Sequence, residues 1–357
     1  MSEGKHRDNG GGDQGFAHTI IGLLAVLGLI LSVVAISAAI YEGGDGKKVA
    51  VVAPEQSAAK PIDFGGTPQP GWKPYDPALA PAPGGTEHQV TLHATETQLN
   101  MAPGVTQTMW TFGDTVPGPV LRGKVGDVFT VTLINDGKNG HSIDFHASEV
   151  APNVEMRTIA PGESLVYQFT ATHSGIWMYH CGTPPVIHHV GNGMYGAVII
   201  DPPDLAPVDR EFVFVQSELY RKGVTDAGMT HMMNEQWDAV MFNGYVNQYV
   251  NDPIRVEPGQ KIRAWVLDAG PSENSSFHVI GTVFDTVYFE GRYELRPDDS
   301  HGGSQALALQ PAQGGFVEFD FEHPGTYPFL THKLATASKG ALGIFQVGPP
   351  AGEPMSH

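Results

Sequence analysis

The sequence predicts an all-β protein of two tandem β-sandwich domains, and three observations carry that prediction. Glycine and proline are frequent, with 44 and 28 among 357 residues, more than a helical protein would hold. The apolar runs are short and rich in β-branched and aromatic residues, as in "VFTVTLI", "LVYQFTA", "REFVFVQ", "KIRAWVLD" and "GFVEFDF", with turn residues between them. That is the pattern of sandwich strands. Finally, three blocks recur in the same order: "RGKVGDVFTVTLIND" (122–136) with "RVEPGQKIRAWVLDA" (255–269), "APGESLVYQFTATHSGIWMYHC" (160–181) with "QPAQGGFVEFDFEHPGTYPFLTHK" (310–333), and "GMYGAVII" (193–200) with "SKGALGIFQV" (338–347).

The elements follow in chain order. Residues 1–19 form a short polar N-terminus. Residues 20–41, "IIGLLAVLGLILSVVAISAAIY", carry no charge. As a helix they would be about 33 Å long, against a hydrocarbon core of about 30 Å. The stretch exceeds a typical signal-peptide core, so it is expected to be an uncleaved membrane anchor; "SAA" is the competing cleavage site. Lys5 and Arg7 before it balance Lys47 and Lys48 after it, so charge does not set its sidedness. Residues 42–84 are rich in Pro, Gly and Ala and are expected to be an extended tether. The repeat then sets a first domain over 85–202 and a second over 203–349, with 350–357 as a tail.

Charge and cysteine content narrow the function. The formal net charge is −18, from 38 acidic and 20 basic side chains, which excludes nucleic acid as a partner. Cys181 is the one cysteine, so no internal disulfide exists. It lies in "WMYHCGTPPVIHHVGNGM" (177–194), followed by His189 and Met194 in a C-x7-H-x4-M spacing. A thiolate, two imidazoles and a thioether are the ligand set of an electron-transfer copper site. "NGHSIDFHA" offers His141 as the second imidazole. His188 competes with His189, and the five-residue step from His189 to Met194 favours His189.

The second domain has no cysteine, yet it keeps histidines at equivalent places. His146 ends "DFH" and His180 ends "MYH"; His278 ends "SFH" and His332 ends "LTH". This predicts a second metal shared between a first and a second domain. Adjacent strand residues point to opposite faces, so Cys181 can serve one site while His180 serves the other. Asp144, two residues before His146, would face the second site. Three imidazoles with an open position suit catalysis, and alone they would admit zinc as well as copper.

With "HSIDFHA", "YHCGTPP…HVGNGMYGA", "FVQSELY", "FNGYV", "SSFHVIGTVFDTVYFEG" and "GTYPFLTHKLATASKGALGIFQV" together, the stretch 90–348 resembles the copper-containing nitrite reductases, and most of all their anchored, neisserial-type branch. The resemblance implies two cupredoxin domains, each a Greek-key sandwich. It implies type 1 copper on His141, Cys181, His189 and Met194, and type 2 copper on His146, His180 and the His332 of a neighbouring subunit. Asp144 and His278 would handle protons, and Ile280 would lie over the substrate. It further implies a homotrimer, nitrite as substrate, a donor such as a cytochrome c or a small cupredoxin, and a head outside the cytoplasm. One departure stands out: Ala306 and Leu307, in "QALALQ", occupy places where several family members carry polar groups that hold the catalytic histidine, leaving Gln305 or Gln310 to substitute. A laccase-type oxidase needs H-x-H pairs and an H-C-H segment, which are missing; the non-enzyme rival is a tethered electron carrier. "GMTHMMNE" (228–235) is expected to be a loop or short helix packed on the second domain, and His88, His93, His173, His231, His301, His323 and His357 to be surface or structural.

Overall fold

The computed structural model describes residues 60–349. Residues 61–349 belong to one compact unit. The expected anchor over 20–41, the first part of the tether and the tail lie outside the described residues. Among the described residues no helix is long and apolar enough to cross a membrane.

The described chain is nearly all β. The first half supplies β1 (Glu87–Ala102), β2 (Val105–Phe112), β3 (Leu121–Lys124), β4 (Val128–Asn135), β5 (Asp144–Phe145), β6 (Ser164–Thr170), β7 (Gly175–His180) and β8 (Tyr195–Asp201). They form two four-stranded sheets, β2-β1-β4-β6 and β3-β8-β7-β5. The second half supplies β9 (Arg210–Leu219), β10 (Ala239–Phe242), β11 (Ile254–Val256), β12 (Ile262–Gly270), β13 (Ser275–Val279), β14 (Thr286–Phe289), β15 (Arg292–Leu295), β16 (Leu307–Leu309), β17 (Gly314–Phe319), β18 (Gly325–Thr331) and β19 (Leu342–Val347). These form a six-stranded sheet, β10-β9-β12-β17-β14-β15, and a five-stranded sheet, β11-β19-β18-β13-β16. The three sequence repeats fall on β3–β4 and β11–β12, on β6–β7 and β17–β18, and on β8 and β19.

Side-chain alternation explains which strands face water. In β6, Leu165, Tyr167 and Phe169 are buried while their neighbours are exposed, as expected of a sheet with one solvated face. In β12 and β17 every residue is buried. Their inner face joins the second domain's own core around Phe214, Phe277 and Phe329. Their outer face meets a third core, where Met178, Tyr195 and Ile199 of the first half pack with Val215, Trp265 and Phe316 of the second. The two sandwiches therefore share a dry interface. A buried charge network crosses it: Arg122 donates to Asp201 (2.9 Å) and Glu211 (3.0 Å), while Trp265 Nε1 donates to Glu211 (2.9 Å).

The tether expectation fails for residues 61–84, which form a docked strap. Ala78 bridges to Phe212. Leu79 N–H donates to Glu211 O (3.0 Å) and Val213 N–H to Pro77 O (2.9 Å). Gln69 Nε2 donates to Ala102 O (2.9 Å), Arg122 to Ala80 O (2.8 Å), and Trp72 packs on Tyr245 with ring centroids 4.8 Å apart. Prolines make a chain extended and poor in donors, and such a chain lies along a surface as readily as it hangs free. Composition does not distinguish the two.

Among the described residues, five short helices cap the sheets: α1 (Pro152–Glu155), α2 (Val186–Gly191), α3 (Asp226–Met233), α4 (Gln248–Asn251) and α5 (Leu334–Ala337). "GMTHMMNE" lies mostly in α3, capped by the Thr225 side chain, which accepts from Gly228 N–H. This helix packs on α2 of the first half. The buried Met232 lies over Gly191, where an added Cβ would come within 2.7 Å of its sulfur.

Candidate metal centres

The first centre is assembled from three segments. The β4–β5 loop delivers His141, fixed by reciprocal backbone bonds with Ile159. β7 ends on His180, and Cys181 follows it. α2 carries His189, after which Met194 N–H donates to His189 O and Cys181 N–H to Met194 O, both at 3.1 Å. That turn folds Met194 back beside the cysteine. Cys181, His141 and Met194 are fully buried, and His189 is 5% exposed.

The ligand atoms converge. His141 Nδ1 and His189 Nδ1 are 3.3 Å apart, and Cys181 Sγ is 3.3 Å from His189 Nδ1. Ser142 N–H lies 3.4 Å from the sulfur, a backbone donor suited to a thiolate. Burial pushes the His141 pKa down to about 4 and that of His189 down to about 3, the latter helped by His141 and His188. Both rings are neutral near pH 7 and offer lone pairs. Two lone-pair nitrogens and a sulfur turned on one another in a dry pocket repel unless a cation sits among them, so this donor set fits a soft metal ion. His188 takes another direction: its Nε2–H donates to Gly223 O at 2.8 Å.

The second group lies on the other side of β7. Asp144 pairs with His180 in the β5–β7 ladder. Asp144, His146 and His180 form a second cluster whose ligand atoms lie within 4.8 Å of one another. The Nε2 atoms of His146 and His180 are 3.0 Å apart, and Asp144 Oδ2 is 4.0 Å from His180 Nε2. His180 Nδ1–H donates to Cys181 O at 2.9 Å, which leaves Nε2 as the lone-pair nitrogen. His146 keeps part of its ring open to solvent at the domain edge, yet the protein packed around the rest of it, and then His180, lower its pKa, against the opposing pull of Asp144.

The second domain holds its own pair. His278 on β13 and His332 after β18 have ring centroids 5.5 Å apart. His332 is exposed and Ile280 is 44% exposed. Neither histidine joins the Asp144–His146–His180 cluster of the same chain. The departure at Ala306 and Leu307 has a local answer, because His278 Nδ1–H donates to the backbone carbonyl of Gln305. The orienting acceptor is main chain rather than a Gln305 or Gln310 side chain.

Two neighbours of these centres were not legible in the sequence. The Trp110 indole, 7% exposed, lies against His189 (4.7 Å between centroids), His188 (4.8 Å) and His141 (5.8 Å). Tyr167 crosses the core from β6 and its O–H reaches Ser148 Oγ (3.2 Å) and Asp144 Oδ1 (3.5 Å). Both sit in strands, where an aromatic reads as core. Among the histidines set aside as surface or structural, His88 is buried and bonded to Asp127 at 2.7 Å, and His93 pairs with Asp136 on the surface. His357 lies outside the described residues.

Paired sandwiches, one with a buried His–Cys–His–Met centre backed by a histidine cluster, define a tandem-cupredoxin copper protein. A multicopper oxidase family profile matches residues 93–205. The copper-containing nitrite reductase of Neisseria meningitidis serogroup B is 34% identical over 271 residues, covering 72% of this chain and 68% of that one. The solved copper nitrite reductase of Nitrosomonas europaea is 36% identical with a TM-score of 0.67, covering 73% of this chain and 94% of that one. That of Thermus scotoductus is 30% identical, also at 0.67, covering 74% and 64%. The chain belongs to the copper-containing nitrite reductase family, and its cofactor is copper.

Proposed function

We propose that the chain reduces nitrite by one electron to nitric oxide and water: nitrite, one electron and two protons give nitric oxide and water. The observation that carries this is the junction of two ligand clusters through one peptide bond, with Cys181 in the buried cluster and His180 in the other. His141, Cys181, His189 and Met194 would hold type 1 copper. His146 and His180 would hold type 2 copper, with His332 from a neighbouring subunit of a homotrimer. Support for the shared site is that His278 and His332 lie together on the second domain while one chain's His146 and His180 gather only Asp144. Bound copper supplies one-electron redox chemistry and a Lewis acid.

The remaining work falls to the chain's own groups. The Cys181–His180 bond, doubled by the His180 Nδ1–H bond to Cys181 O, is the shortest route for an electron between the clusters. Asp144 stands beside His180 Nε2 and passes a proton at its carboxylate. His278, with Nδ1–H engaged by Gln305 O, exchanges its proton at Nε2. Ile280 is an exposed apolar residue two positions past His278 and would wall the substrate pocket. The domains run over 85–202 and 203–349. Residues 20–41 anchor the chain with its head on the extracytoplasmic side, and a cytochrome c or small cupredoxin delivers the electron.

The test is anaerobic nitric oxide release from nitrite by the copper-loaded protein with an artificial reductant, beside a His332→Ala control. Nitric oxide that disappears in the control is the expected result. An intact type 1 absorption band with no nitric oxide from the parent would leave a tethered electron carrier instead.

A further inference from the structure

The turn between β12 and β13 launches the second domain's share of the site. β13 leads to His278, and His332 N–H donates to Ser276 O at 2.7 Å. Glu273 in the turn binds Lys333, the neighbour of His332. Two buried carboxyls hold this turn from inside. Glu218 accepts from the N–H groups of Ser272 (2.7 Å) and Glu273 and from the Tyr220 phenol (2.5 Å). Three donors and no acceptor surround it, and they oppose the burial that raises its pKa.

Asp268 differs. Its Oδ1 accepts from Gly270 N–H at 3.1 Å. Its Oδ2 is buried with no partner, and so are Gln216 Oε1 and the Ser275 hydroxyl, whose one proton could reach only one of the two acceptors. Gln216 and Asp268 are direct partners in the parallel β9–β12 register, so their side chains share one face of the sheet. The amide cannot be turned round to relieve this, because Gln216 Nε2 donates to Asn274 O at 3.2 Å and a carbonyl only accepts. Both residues are fully buried. Two orphaned acceptors on one dry face are each penalised, and a single proton on Asp268 satisfies both.

We propose that Asp268 is a neutral carboxylic acid whose O–H donates to Gln216 Oε1, and that together with Glu218 it positions the β12–β13 turn, which leads directly into β13 and His278. The charged groups that face Asp268 are Glu218 from β9 and Glu273 from the turn, both acidic. Burial first, then those charges, push the Asp268 pKa well above the carboxylate range, against the Gly270 donor. Asp268 is a positioning residue. Its protonation stands independently of nitrite chemistry, and only its consequence for turnover rests on the function proposed above.

The sign of the pH effect makes this testable. A carboxyl whose folded pKa is raised contributes stability that is fully present below its unfolded pKa and is lost as pH rises through the folded one. Asp268→Asn keeps the Oδ1 acceptor and gives Gln216 an N–H donor without titrating. The copper-loaded full chain is compared with Asp268→Asn and Asp268→Ala. Expected are a protonated-carboxyl infrared band missing from Asp268→Asn, and a Tm difference, variant minus parent, that grows from about pH 5 to about pH 8. Nitrite turnover should stay within about twofold in Asp268→Asn and fall about tenfold in Asp268→Ala. The absence of the band, or a Tm difference that shrinks as pH rises, overturns the neutral acid. Unchanged turnover in Asp268→Ala overturns the positioning role. A parent that makes no nitric oxide removes the proposed function instead, and the infrared and Tm results still decide Asp268.

Discussion

Copper-free protein should lose stability as pH falls below 6.5, and the two buried imidazoles of the proposed type 1 centre set how much. His141 and His189 are 0% and 5% exposed, with pKa values held down to about 4 and about 3. A depressed folded pKa means that the unfolded chain takes up protons first. The contribution is whole above the unfolded value of 6.5 and is lost progressively as pH falls toward the folded values. At about pH 5 the unfolded imidazoles are almost fully protonated and the folded ones are not, which removes about 2 kcal/mol per ring. This figure barely depends on the folded pKa so long as that lies well below 5. Both rings give ~4 kcal/mol at most, because part of the His189 shift comes from His141, and total stability is about 5–15 kcal/mol. Denaturant unfolding of the copper-free chain at about pH 7.5 and about pH 5 would measure it. Beside the parent, His189→Gln should lose ~2 kcal/mol less over that interval. Equal losses in parent and variant would refute the claim that His189 is buried neutral. Copper binds only the neutral rings, so loading should flatten the slope.

Other substitutions separate the centres. Asp144→Asn should keep the type 1 band and lose about a hundredfold in turnover, as removal of a general acid does; unchanged turnover would remove Asp144 from proton handling. Trp110→Leu opens the wall over His141 and His189, so the type 1 reduction potential should fall as water stabilises the more highly charged oxidised site; potentiometry checks this, and an unchanged value counts against the indole's role. Deleting 61–84 removes the strap's four named hydrogen bonds to both domains, at about 1 kcal/mol net each, and should destabilise the head by ~4 kcal/mol in a denaturant titration. A free tether would give no change.

What was legible in the sequence depended on whether a feature is local along the chain. Strands announce themselves by alternation, and the tandem domains by three repeats in one order. Cys181, His189 and Met194 share one loop, so their spacing carries their geometry. The strap was missed because an extended proline-rich segment has the same composition docked or free, and only its partners at Glu211, Val213 and Ala102 distinguish the two. Trp110 and Tyr167 were missed because a strand aromatic against a metal ligand is written like any core residue. The backbone acceptor for His278 was missed because a carbonyl leaves no trace in the residue type: Ala306 and Leu307 look like a loss only if a side chain must do the orienting.

The arrangement of β7 ties these points together. Strand alternation sends Cys181 into a dry core and His180 to the opposite face, so two clusters of different polarity stand one peptide apart. The buried cluster needs neutral rings and a sulfur shielded from water, and the sandwich supplies both through residues from its own domain. The other cluster must admit a polar substrate and protons, and it keeps Asp144 half-exposed and His146 exposed at the edge of the domain. A site of that kind cannot be closed by the core that made it. On the function proposed above, its remaining histidine would come from a surface with its own support, the β12–β13 turn and the end of β18, where His278 and His332 are held by main-chain bonds to Gln305 and Ser276. Weakening that support should harm the second centre alone, leaving the type 1 band and its potential as they were.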